Sequence, residues 1–189
     1  MAPGGGSISA YVGALGVSLG TMVANLSAHK AGWDERWEFF SDWAIKGQEY
    51  KEQLLFLVDE DTNAFNKIID GFRMPKDTDL EEKIRLDAIE NATKYATEIP
   101  FKVMETSFQS MEIMQAMLKD GLKNSLSDAG VGVLCARAAV IGAYFNVRIN
   151  AKDIKDRDFA TVILNKAATI YKKTIALEQE TISFIDSQM

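Results

Sequence analysis

Along this chain apolar residues recur at spacings of three and four, with polar residues filling the opposite faces, over six stretches separated by short polar or glycine-bearing breaks. The start, Met1 to Ser7, reads MAPGGGS, and Ser7 is placed to cap a first helix that runs to about Ala28. Counted from Ser9, Gly13, Gly16, Gly20 and Ser27 gather on one face of that helix, with Ala24 at its edge, and such a face invites close approach by a neighbour. A second helix is predicted from Asp34 to Gly71, bent near Gly47 and ended by Gly71 in the left-handed conformation; Trp33, Trp37, Phe40 and Ala44 share a core stripe near its start. After the turn FRMPKD, Thr78 and Glu81 form the capping box T-x-x-E of a third helix, which should end or kink before Pro100. A fourth, from Pro100 to about Lys119, turns Phe101, Met104, Phe108, Met111 and Met114 inward and Glu98, Glu105, Gln109 and Glu112 outward, with Gly121 as its stop. Ser127 and Asp128 open a fifth helix that reaches Asn150, and a sixth, capped by Asp156, runs from Arg157 to near Ser187. The expected class is all-α: one domain over residues 1–189, a bundle of six antiparallel helices.

Composition narrows the possibilities. Only three prolines interrupt a chain that is 47% hydrophobic, which permits long helices. A net charge of −6 without a Lys/Arg run argues against a nucleic-acid partner. A lone cysteine, Cys135, rules out an intrachain disulfide and fits a reducing, cytoplasmic setting. With one histidine, His29 at the end of the first helix, a multi-histidine metal site is excluded, and no metal is expected. No charge occurs between Ala2 and Ala28, but that stretch lacks a basic leader and is rich in Gly, Ala and Ser, so it is expected to be a buried bundle helix and not a membrane span. Gly/Ala-rich faces on both the first and fifth helices predict a homodimer, since one layer of helices does not readily cover both.

The candidate chemistry starts at Leu54 to Phe72. Leu54, Leu57, Val58, Asp61, Phe65, Ile68 and Phe72 fall on one side of a helix, whereas Asp59 lies opposite with Glu52, Asn63, Asn66 and Asp70. An acid inside an apolar stripe must be paired, open to a cleft or raised in pKa. Two readings stay open at this point: Asp61 moves protons, or it pairs with a buried Arg or Lys and fixes helix register. On the fifth helix Asp128, Asn146 and Asn150 share one line with Cys135, Ala139 and Gly142, which suits either a ligand-lining track or bonds to neighbouring helices. The N-terminal glycines can offer backbone N–H groups to an anion or a carbonyl, though they match neither a Walker nor a dinucleotide fingerprint.

Taken together, PGGGS before an Ala/Gly-rich helix, VDEDTNAF, the FRMPKDT turn and SDAGVGVLCARAAVIGAYFNVRIN resemble the cyclodeaminase family, which comprises formiminotetrahydrofolate cyclodeaminases and the related methenyltetrahydrofolate cyclohydrolases. The resemblance implies an all-helical enzyme of one-carbon metabolism and histidine degradation, dimeric or higher. Its expected reaction turns 5-formiminotetrahydrofolate into 5,10-methenyltetrahydrofolate with release of ammonia. Cyclohydrolase chemistry and a non-catalytic folate-binding module are the alternatives. No cofactor is implied beyond the folate, polyglutamylated or not, and a formiminotransferase is an expected partner. The resemblance places the catalytic acid within VDEDTNAF, where helical phase separately selects Asp61. It further matches Gly5, Gly6, Ser7, Glu105, Asp128, Asn146 and Asn150 to substrate binding, and Lys30 to the folate glutamate. This chain has Ala28-His29-Lys30 where relatives often carry two cations, and it begins almost at PGGGS where relatives usually carry a further helix.

Overall fold

Local sequence sets most helix ends, and one tertiary bond changes their number. In the computed structural model, which describes residues 4–188, the helices are α1 (Gly5–Ala28), α2 (Trp37–Arg73), α3 (Asp79–Asp120), α4 (Leu126–Asn150) and α5 (Arg157–Gln188), with 3-10 turns at Asp34–Arg36 and Lys123–Ser125. No strand occurs among the described residues, and Pro3 of the PGGGS motif lies outside them. The expected six helices are therefore five, because the predicted third and fourth are one: α3 runs 42 residues through Pro100. A proline inside a helix withdraws the N–H that would bond the carbonyl four residues back, here Ala96. That carbonyl instead accepts Asn150 Nδ2 from α4 at 2.7 Å. The lost local bond is replaced across the bundle, and the helix continues.

Several expected caps hold. Thr78 Oγ1 accepts the Glu81 N–H at 3.2 Å while Glu81 Oε2 accepts the Thr78 N–H at 2.9 Å, and Asp156 Oδ1 accepts the Phe159 N–H at 3.0 Å. Others are corrected. Ser7 is not the cap of α1, whose N-cap is Gly4 with no side-chain cap, and α4 opens at Leu126, before Ser127 and Asp128. Nor does Gly71 end α2 in a left-handed conformation: Gly32 is the one glycine with positive φ among the described residues. Gly71 instead lets α3 approach, since a Cβ there would lie 3.0 Å from Ile89 Cγ1; Gly47 likewise sits within continuous α2 beside Thr21.

Antiparallel neighbours α1, α2, α3 and α4 form a square bundle in which α1 touches α2 and α4 and lies diagonally across from α3, while α5 packs outside along α4 and α3. Val17, Phe40, Leu54, Ile99, Met104, Met111 and Met114 are fully buried between them. The small-residue face of α1 does what its composition suggests: Gly13 faces Ser107 and Ala139, and a Cβ on Gly16 would come within 2.8 Å of the Gly132 carbonyl oxygen of α4. Two stretches, Gly5–Ala28 and Lys123–Asn150, are long and apolar enough to cross a membrane by length and composition, yet 61% of the apolar window in the first is buried against other helices.

Candidate active site

Because α1 and α4 run antiparallel, the first turn of α1 meets the last turns of α4, with Gly5 against Asn146. The middle of α2 passes the same end, and its Asp61 reaches the start of α1. A helix begins with N–H groups that have no partner in the helix, and its N-terminus favours negative charge. Asp61 Oδ2 accepts one of them, the Ser7 N–H, at 2.8 Å, and also the Ser7 hydroxyl at 2.8 Å. The capping group that α1 lacks in its own sequence thus arrives from α2. Gly6 makes this possible, since a Cβ at that position would sit 2.1 Å from Asp61 Oδ1. The glycine run is accordingly an anion-accepting turn whose anion belongs to the protein. Asp61 forms no ion pair among the described residues, which removes the reading of a buried partner that fixes register.

With Oδ2 doubly bonded, Oδ1 has no hydrogen bond to protein among the described residues, and the carboxylate opens on a cleft of about 520 Å³ that Gly4, Ser7, Phe65, Asn146 and Asn150 also line. Asn146 donates Nδ2 to the Gly142 carbonyl at 2.8 Å, and Asn150 donates to Ala96 as described. Of the expected asparagine track, Asn150 bonds a neighbouring helix and Asn146 its own, and both side chains also line the cleft, whereas Asp128 does not reach it. Thr62, Phe65, Asn66 and Ala96 were not among the expected site residues but line it too. Phe65 was assigned to the buried stripe; it is 52% exposed, as Phe72 is 55% exposed, and Ala64 and Gly71 take the inward positions. Four residues after Asp61, Phe65 sits one helical turn from it, and that spacing is a signal the sequence carries; Asn66, on the other side of the helix by phase, has none.

Three expected site residues lie elsewhere in the chain's own fold. Asp128 is eighteen positions before Asn146 on α4, about 27 Å along the axis at 1.5 Å per residue. Lys30, just past the far end of α1, places its ammonium 3.9 Å from the Trp33 ring centroid. Glu105 faces away from Asp61, between a groove of about 590 Å³ shared by α2 and α3 and another of about 440 Å³ toward α5. Burial there pushes its carboxyl above the ordinary range, and the nearby ammonium groups of Lys166 and Lys102 pull the other way.

Comparison with known proteins decides the family. The profile of the formiminotransferase-cyclodeaminases matches residues 1–169. The chain belongs to the formiminotransferase-cyclodeaminase family. A methenyltetrahydrofolate cyclohydrolase from Methylorubrum extorquens is 30% identical over 187 residues, covering 99% of this chain and 90% of that one. Formimidoyltransferase-cyclodeaminases from Gallus gallus and Mus musculus are 33% and 34% identical over 160 and 158 residues; this chain spans only 30% and 29% of their length. A formiminotetrahydrofolate cyclodeaminase from Thermotoga maritima superposes with a TM-score of 0.80 at 24% identity, over 98% of this chain and 87% of that one, and so shares the fold.

Proposed function

We propose that this family member is a formiminotetrahydrofolate cyclodeaminase in which Asp61 moves the protons. The observation that carries the reading is the unequal carboxylate: one oxygen of Asp61 is fixed by Ser7, and the other stands unbonded in a cleft of a size that takes a small ligand. In the reaction the second folate nitrogen attacks the formimino carbon and gives up a proton, and the carbon–nitrogen bond to the formimino nitrogen breaks as that nitrogen gains protons and leaves as ammonia. A fixed carboxylate with one free oxygen can accept the first proton and return it to the leaving nitrogen. A second proton, from solvent, completes ammonia, and its positive charge stays on the methenyl product. Ser7 holds the base, Gly6 leaves room for it, and Gly5 lies against Asn146, which lines the same cleft as Asn150.

A second reading has its own support. A curated relative that this chain nearly spans, at 30% identity, is a cyclohydrolase, whereas the formimidoyltransferase-cyclodeaminases of similar identity are much longer. In that chemistry Asp61 takes a proton from water as it adds to the methenyl carbon. Incubation with 5-formiminotetrahydrofolate, following methenyl absorbance and ammonia together, and separately with 5,10-methenyltetrahydrofolate, following loss of that absorbance, tests the choice. Matched appearance of both is the expected result, methenyl hydrolysis without ammonia selects the cyclohydrolase, and folate binding without turnover selects a non-catalytic module.

We also infer a homodimer. Ile8, Tyr11, Leu15, Met22 and Leu26 on α1 and Val131, Leu134, Phe145 and Ile149 on α4 are exposed, and their three- and four-residue spacings make two apolar stripes on adjacent helices. A two-fold axis near the middle of these helices would bring the partner's far end toward Asp61, which gives Lys30 and Asp128 a route to the cleft and to a folate glutamate tail. Light scattering of Leu15→Glu should report monomer where the parent chain reports dimer; a monomeric parent removes this part of the reading. A separate formiminotransferase that supplies the substrate fits the same scheme.

A further inference from the structure

Each asparagine at the cleft has its amide orientation fixed from behind. The Ala96 carbonyl needs a donor because residue 100 is proline, so the Asn150 nitrogen must face it; the opposite orientation would set two oxygens 2.7 Å apart. The same holds for Asn146 against the Gly142 carbonyl at 2.8 Å. Each side chain then keeps its oxygen, with the direction of that oxygen set by the bond its nitrogen makes, and one further N–H. Asp61 Oδ1 is a third acceptor, and the Ser7 hydroxyl hydrogen is already given to Oδ2. Thr62 and Asn66 also line the cleft, and neither side chain bonds a cleft neighbour among the described residues.

We propose that Pro100 is a positioning residue for this cleft: by withholding an N–H from Ala96 it pins Asn150 with nitrogen toward that carbonyl, so that the amide oxygen is left as an acceptor for a ligand N–H. The inference rests on the folate reading above, and names the ligand group that this oxygen takes: a ring N–H, an exocyclic amine or an amidine N–H. Pro100 touches no ligand and acts through Asn150.

Four variants test it. In Pro100→Ala the restored backbone N–H satisfies Ala96, so the melting temperature should hold or rise while the KM for 5-formiminotetrahydrofolate increases about fivefold, the scale of one loosened hydrogen bond, with kcat nearly unchanged. Asn150→Ala should lower the melting temperature by about 4 °C in the parent chain and by less than about 1 °C when combined with Pro100→Ala. Tetrahydrofolate binding by titration calorimetry then reads the ligand side: Pro100→Ala/Asn150→Asp, which keeps an acceptor, should stay within about threefold of Pro100→Ala, whereas Pro100→Ala/Asn150→Leu should weaken about tenfold. An unchanged KM in Pro100→Ala overturns the positioning role. Equal loss in the Asp and Leu variants overturns the acceptor role of residue 150. If the parent chain binds no tetrahydrofolate, the functional reading and the ligand half fall together, while the melting-temperature coupling still decides whether Pro100 anchors Asn150.

Discussion

Glu60 and Asp61 are consecutive on α2 and meet opposite fates. Glu60 looks into the groove between α2 and α3, where Oε2 accepts the Tyr95 hydroxyl in a short hydrogen bond and Oε1 accepts Asn63 Nδ2 at 2.9 Å. The Lys67 ammonium lies over the Tyr95 ring, 3.9 Å from its centroid. The Tyr95 bond, helped by Asn63, Lys67 and Lys102, holds the Glu60 carboxyl below its ordinary range. Asp61 faces the other way, with both of its bonds on one oxygen. A carboxylate with both oxygens bonded ties two helices together, and one with an unbonded oxygen can act on something else. What separates structure from chemistry here is how the same two bonds are shared between the oxygens.

The strongest way to break that contrast is Asp61→Asn, which keeps shape and most hydrogen bonding. Turnover should fall by about a hundredfold or more while folding and folate binding survive, and Asp59→Asn, on the exposed face, should do far less. A fully active Asp61→Asn enzyme would end the mechanistic assignment and leave the fold standing. Next in size comes Gly6→Ala, whose added methyl collides with Oδ1 and must displace the Asp61 carboxylate from Ser7 or part the two helices. We expect about 1–3 kcal/mol of lost stability, measured by denaturant unfolding, with turnover reduced about tenfold beyond what the unfolded fraction explains.

The smallest effect sharpens the comparison from the other side. Tyr95→Phe and Glu60→Gln should leave turnover within about twofold, because neither residue faces the cleft. Their signature is in acid stability. A depressed folded pKa means that Glu60 contributes stability above its unfolded value, near pH 4, and loses it as pH falls through the lower folded value. Melting curves from pH 6 to pH 3 should therefore fall less steeply for Tyr95→Phe than for the parent. An identical acid limb would show that the Tyr95–Glu60 bond carries no linkage.

Much of this was legible in the residues, for reasons that can be named. Helical phase found Asp61 because a charge inside an apolar stripe needs an explanation, and small-residue spacing found the close face of α1 because helix contact depends on side-chain volume. Phase alone did not distinguish a residue at the stripe's edge from one at its centre, so Phe65 and Phe72 were placed inside when Ala64 and Gly71 are. Pro100 misled because the rule that a proline ends a helix concerns local bonds, and the donor that replaced the missing one sits 54 residues from the acceptor it meets. For Lys30, Glu105 and Asp128 the family pattern gave positions without distances, and one chain holds them apart from Asp61.

The bond between Ser7 and Asp61 also gives the molecule a built-in gauge. Amides in the first turn of a helix exchange their hydrogens with solvent quickly, because nothing within the helix protects them. The Ser7 amide is shielded by a side chain 54 residues away, so its exchange rate registers whether α2 is seated against the mouth of the cleft. A single backbone hydrogen can thus report, without substrate or turnover, when the site is assembled and when it has come apart.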